Sequence, residues 1–94
     1  MAYLITHFYE GGTKEQYEAV VAAAHPDGGL PPGQALHAAG ATEGGWLVAA
    51  VWDSKESCDK FVNETLHPAL QNTSGGFSGP PQARNAEVAN LLTA

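Results

Sequence analysis

The sequence predicts an α+β fold of element order β-α-β-β-α-β, with four strands in one antiparallel sheet and two helices covering one of its faces. Three observations predict it. Ala2 to Tyr9 and Trp46 to Trp52 are short runs rich in aromatic and β-branched residues, as strands are. Two other segments, beginning near Thr13 and Ser54, repeat apolar residues at helical spacing. Between these elements lie Gly- and Pro-rich stretches that neither a helix nor a strand tolerates.

In Ala2 to Tyr9, Tyr3, Ile5, His7 and Tyr9 alternate with Leu4, Thr6 and Phe8, so both parities carry apolar groups and both faces should be covered. Gly11-Gly12 ends the strand. Thr13-Lys14-Glu15-Gln16 has the spacing of a capping box, with Tyr17, Val20, Val21 and Ala24 forming the buried stripe of the helix that follows. His25-Pro26 should end that helix, because the residue before proline is driven out of the α region. Pro26 to Gly33, with turns at Asp27-Gly28-Gly29 and Pro31-Pro32-Gly33, reads as a loop.

Gln34 to Ala41 is a weaker strand, rich in small residues, with His37 near its centre. Thr42-Glu43-Gly44-Gly45 reverses the chain into Trp46 to Trp52, and the two strands form a hairpin. Asp53 or Ser54 caps a second helix whose buried stripe is Cys58, Phe61, Val62, Thr65 and Leu66. It should stop near Leu66, since His67 precedes Pro68. Asn72 to Pro81 is a second loop, either mobile or a cover over something. Gln82 to Leu92 permits a helix by composition, but its position in the chain argues for the closing strand.

The 94 residues form one domain, 1–94, with one modest core. Four Lys and Arg against ten Asp and Glu give a net charge of −6, which repels phosphate backbones and anionic lipid. Nucleic acid and membrane surfaces are thus unexpected partners. The start Met-Ala-Tyr-Leu-Ile-Thr lacks the basic region of a signal peptide, and the single cysteine, Cys58, has no internal disulfide partner, so the expected location is the cytoplasm. His7, His25, His37 and His67 lack metal-ligand spacing, and no P-loop or dinucleotide fingerprint occurs. Neither a metal nor a phosphate-bearing cofactor is expected.

The element order is the ferredoxin-like, split-βαβ arrangement, whose sheet has an uncovered second face. That face is apolar here, and in a short chain a second copy is the simplest cover, so a homodimer through the sheet faces is expected. Val51-Trp52-Asp53-Ser54-Lys55-Glu56, with Thr6-His7-Phe8-Tyr9-Glu10-Gly11-Gly12-Thr13 and Leu36-His37-Ala38-Ala39-Gly40, resembles the dimeric α/β-barrel superfamily. Within it, the chain resembles the small antibiotic-biosynthesis-monooxygenase-like proteins. The resemblance implies sheets pairing in a homodimeric barrel and cofactor-independent oxidation of planar aromatic or phenolic substrates. Where such proteins often carry a histidine on the second helix, this chain has Phe61, and their second histidine corresponds to His67, displaced by one position. The haem-degrading branch places an Asn and a Trp where this chain has His7 and Phe61, which argues against haem degradation.

Trp46, Val48, Ala50 and Trp52 share one parity of one strand, so two indoles flank small side chains and leave a gap. Helix side chains fill it, or a flat ligand does. His7 and His37 are the candidate general bases, since a strand imidazole among apolar neighbours either makes one satisfied hydrogen bond or serves proton transfer. Trp52, Trp46, Tyr9, Phe61 and His67 are the candidate substrate-binding residues. His25 and His67, at helix ends, are expected to be exposed and to interact with last-turn carbonyls. Three readings of the scaffold are open: a cofactor-independent monooxygenase, a non-catalytic dimeric binding or assembly module, and an isomerase or lyase.

Overall fold

The computed structural model describes residues 2–25 and 29–93. Its elements are β1 (Tyr3–Glu10), α1 (Lys14–Ala24), β2 (Gln34–Thr42), β3 (Gly45–Trp52), α2 (Lys55–Phe61), a π-helical segment at Val62–Leu66, α3 (His67–Asn72) and β4 (Gln82–Glu87). The strands form one sheet in the order β2-β3-β1-β4, with every neighbouring pair antiparallel. This is the expected ferredoxin-like arrangement. Residues 26–28, which include Pro26 and most of the expected Asp27-Gly28-Gly29 turn, lie outside the described residues.

Local chemistry sets the ends of α1. Thr13 accepts a hydrogen bond from the Gln16 backbone at 3.2 Å, and the Gln16 side chain accepts one from the Thr13 backbone at 3.0 Å, closing the capping box. At the other end His25 leaves the α region, with φ −129° and ψ 64°, as a residue before proline should. Thr13→Ala removes the acceptor and is expected to lower stability by about 1 kcal/mol, read from the midpoint of urea denaturation.

The second helical region departs from the expected stop near Leu66. His67 is helical, with φ −57° and ψ −49°, and the helix runs on to Asn72. In a regular α-helix the Pro68 ring would collide with the carbonyl four residues earlier. The chain widens instead into a π turn, in which the His67 N–H donates to the Val62 carbonyl five residues back. The extra turns bury Ala69 and set Leu70 against Tyr9, Trp46 and Val48. That packing offsets the local cost of the proline.

The closing segment is a strand, but it ends at Glu87 and does not reach Leu92. Its partner explains the difference: β1 begins at Tyr3, which pairs with Glu87, and one further bond from Val88 N–H to the Ala2 carbonyl (2.9 Å) exhausts β1. Beyond that point the chain has no strand to pair with. No helix among the described residues is long and apolar enough to cross a membrane.

Tyr3, Ile5, His7 and Tyr9 of β1 face the helices together with Trp46, Val48, Ala50 and Trp52 of β3, which the register sets directly opposite them. Two apolar clusters result. Ile5, Ala50, Trp52 and Cys58 form one, and Tyr9, Trp46 and Val48 the other. Trp52 is the largest fully buried side chain among the described residues.

Candidate active site

The small side chains of Val48 and Ala50 between the two indoles leave space that α1 and the second helical region only partly fill. A cavity of about 40 Å³ remains between sheet and helices, with His7, Gln34, His37, Tyr17, Trp52 and Phe61 among its walls. A larger, open cavity of about 650 Å³ lies beside it, between the 29–33 loop and α2. The two share Ala24, His25 and Phe61 as walls. The inner space holds about one or two waters, whereas the outer one has the volume of a small-molecule site.

His37 Nε2 lies 2.6 Å from Tyr17 Oη, an oriented contact between β2 and α1. In one tautomer the phenol donates to Nε2. In the other, Nε2–H donates to the phenol oxygen and Nδ1 keeps a free lone pair. Nδ1 is buried and has no protein partner among the described residues. Burial, and then the nearby His25, push the His37 pKa down from 6.5, so the ring is neutral at pH 7. Burial also pushes the Tyr17 phenol upward.

His25 departs from the expected exposed position. It is half-buried, its ring packed at 5.4 Å against Phe61 and edge-on at 5.5 Å to His37. The end of α1 lies over aromatic surface, and covering that surface outweighs hydration of the imidazole. Phe61 in turn packs on Trp52, with ring centres 5.2 Å apart. A chain of rings thus runs from the outer cavity inward to the fully buried indole.

His7 is buried on β1, with its pKa lowered by desolvation and then by His67. It stands edge-on to Tyr9 at 6.4 Å. Tyr9 is also buried, its phenol pushed up to about 12 by desolvation and then by Tyr17. Phe77, from the loop after α3, stacks on Tyr9 at 3.8 Å and joins the cavity wall, so this loop covers the site. Gly12 permits the fit: a Cβ there would lie 3.0 Å from both Phe77 and the Trp46 side chain.

The structure does not bring every candidate to the cavity. Trp46 packs beside Tyr17, ring centres 5.2 Å apart, and neither cavity has it as a wall. His67 is exposed, mid-helix and not at a helix end, and bears on the site through its charge on His7. Cys58 is buried, and desolvation pushes its thiol up to about 11, which leaves it a packing group and not a nucleophile.

Gln34 is the site residue that sequence reasoning missed. It is 8% exposed, it lines the inner cavity, and its Oε1 has no protein partner among the described residues. The Trp52 Nε1 is likewise buried and unpartnered. Each such group costs about 1–3 kcal/mol in a fold that leaves it unsatisfied. A bulge at Ala35 aims Gln34 inward. Gln34 pairs with Trp52 and Leu36 with the adjacent Val51, so Ala35 is the extra residue.

No protein-family model matches the sequence, and a search of curated proteins finds no match. Solved structures do match. A protein described as an antibiotic biosynthesis monooxygenase from Chloroflexus aurantiacus J-10-fl aligns over 99% of this chain and 98% of its own, with TM-score 0.69 and 14% identity. The cofactor-independent oxygenase SnoaB from Streptomyces nogalater aligns over 99% and 97%, with TM-score 0.62 and 16% identity. The fold is that of antibiotic-biosynthesis-monooxygenase-like proteins. A further example is the monooxygenase from ActVA-Orf6 of Streptomyces coelicolor, solved with the ligand Nanaomycin D, at TM-score 0.58, 22% identity and coverage of 99% and 91%.

On this monooxygenase-like fold the buried His7 and the half-buried His37 make stability depend on pH. In the unfolded chain an imidazole titrates near 6.5, and in the folded chain His7 and His37 titrate lower. Below 6.5 the unfolded state takes up protons that the folded state refuses, so stability falls as pH falls, until the folded pKa values are passed. Urea midpoints measured from pH 8 to pH 5 should decline below 6.5. In the double variant His7→Gln plus His37→Gln that decline should be smaller.

Proposed function

We propose that the chain is a cofactor-independent, monooxygenase-like oxidoreductase acting on a planar aromatic or phenolic small molecule, and that it works as a homodimer paired through its sheet faces. The observation that carries this reading is the Tyr17–His37 contact, which orients an imidazole whose second nitrogen is unpartnered beside an aromatic-walled cavity. Its fold neighbours support the reaction class: SnoaB is a cofactor-independent oxygenase, and the Streptomyces coelicolor monooxygenase was solved with a bound ligand.

The ring system sits in the 650 Å³ cavity against the His25–Phe61 stack, with one edge turned toward the inner space that His37 lines. His37, neutral because burial lowers its pKa, takes a proton at Nδ1 from an acidic C–H of the substrate. Its Nε2–H bond to Tyr17 steadies the imidazolium that forms. The resulting carbanion, delocalised over the aromatic system, transfers an electron to dioxygen and the pair combines into a C–O bond. The imidazolium returns its proton to the peroxide anion, and loss of water from the hydroperoxide leaves a new carbonyl, so one oxygen atom stays in the product and the other departs with the two substrate hydrogens. The protein needs no metal or organic cofactor for these steps. His7 and Tyr9 shape the inner wall.

The test is oxygen uptake by the purified chain, without added metal or flavin, across a panel of hydroxyaromatic and anthrone-like compounds. Uptake matched by carbonyl product supports the reading. Absence of uptake throughout the panel, or uptake unchanged when both His37 and His7 are replaced by alanine, overturns it.

A further inference from the structure

The inner cavity is too small for a ring, and its polar walls are specific. Gln34 is nine-tenths buried with Oε1 unpartnered, and the fully buried Trp52 has Nε1 unpartnered. An acceptor and a donor thus belong to walls of one space of about 40 Å³, the size of a single oxygen substituent and not of a ring system. We infer that Gln34 and Trp52 form the anchor for one hydroxyl group of the ligand, the hydroxyl donating to Gln34 Oε1 and accepting from Trp52 Nε1–H, while the ring stays in the outer cavity. The inference rests on the aromatic-substrate reading above and adds to it the chemical group that the substrate must present.

The backbone around Gln34 is held as an anchoring residue requires. Its N–H donates to the Pro31 carbonyl at 3.1 Å, and the Asp53 N–H donates to the Gly33 carbonyl at 2.7 Å, tying the loop to the end of β3. Gly33 has φ +88°, and a Cβ there would lie 2.7 Å from Ser57, so the turn presses directly on α2. With the Ala35 bulge, these constraints set Gln34 opposite Trp52 on the helix-facing side of the sheet, where it lines the inner cavity. A buried acceptor with no protein partner favours a ligand that brings a donor, and it penalises the same ligand when the donor is capped.

The test compares 1-naphthol with 1-methoxynaphthalene by equilibrium dialysis against the wild-type chain and Gln34→Leu. Without a specific anchor the more apolar ether binds at least as well. With the anchor, the wild type should favour the naphthol by about tenfold, and Gln34→Leu should erase that preference while still binding the ether. A wild-type chain that binds both probes equally overturns the anchor and leaves the aromatic site standing, with no variant needed. A Gln34→Leu protein that keeps the preference also overturns it. Binding of neither probe overturns the aromatic-site reading and the anchor together.

Discussion

His37→Ala is expected to lower turnover of a hydroxyaromatic substrate by about 10²–10⁴-fold, the usual contribution of a positioned general base. Substrate affinity should change far less, because His25 and Phe61, the aromatic walls of the outer cavity proposed to hold the ring, are untouched. Tyr17→Phe separates geometry from chemistry. It keeps a ring 6.2 Å from the imidazole and removes the Oη contact, so it should reduce turnover by a smaller factor, about tenfold. The pH dependence carries the sign. As the proposed base His37 would act while neutral, and its pKa lies below 6.5, so kcat/KM should rise through a pH below 6.5 and level off near neutrality. In Tyr17→Phe the inflection should move. A His37→Ala protein that melts lower but turns over normally makes His37 a packing residue and passes the base to His7.

What was legible in the sequence followed from periodicity. The alternation in β1 and β3 gave their extent and their helix-facing residues, and Thr13 to Gln16 gave the capping box. What was not legible came from places where the period breaks. Simple alternation puts Gln34 and His37, three residues apart, on opposite faces of β2. The bulge at Ala35 brings both to the same cavity, and its signal is at most the Pro31-Pro32-Gly33 turn immediately before it. The π turn before Pro68 is the same kind of event, since a local rule against helix yields to packing by Ala69 and Leu70. Tyr17 shows a different limit. Its spacing marked it as core, and it is core, but its hydroxyl also meets an imidazole twenty residues away in sequence. Apolar spacing reports where the ring goes and nothing of what its oxygen meets.

If the sheet faces pair as proposed, the wild-type chain should sediment as a dimer at micromolar concentration, and the double variant Leu36→Asp plus Leu47→Asp should sediment as a monomer. The register turns Leu4, Thr6 and Phe8 of β1, Leu36 and Ala38 of β2, and Leu47, Ala49 and Val51 of β3 away from the helices. That face is mostly apolar across β1, β2 and β3, with Thr6 its polar member and Gln82 and Arg84 of β4 at its edge, yet Leu36 and Leu47 remain 53% and 39% exposed in the single chain. In the proposed dimer a second copy presenting the same face covers these leucines by two-fold symmetry, with each patch meeting its own counterpart. Burying four carboxylates in place of leucines costs several kcal/mol in all, even where Arg84 on the same face pairs with some of them, so dimer affinity should fall by more than about a thousandfold. The helix-facing side of the sheet is untouched by either substitution. The variant chain should therefore stay folded by circular dichroism, and this separates lost association from unfolding. A wild-type chain that sediments as a stable monomer removes the dimer from the reading, and the sheet's apolar face then needs another cover.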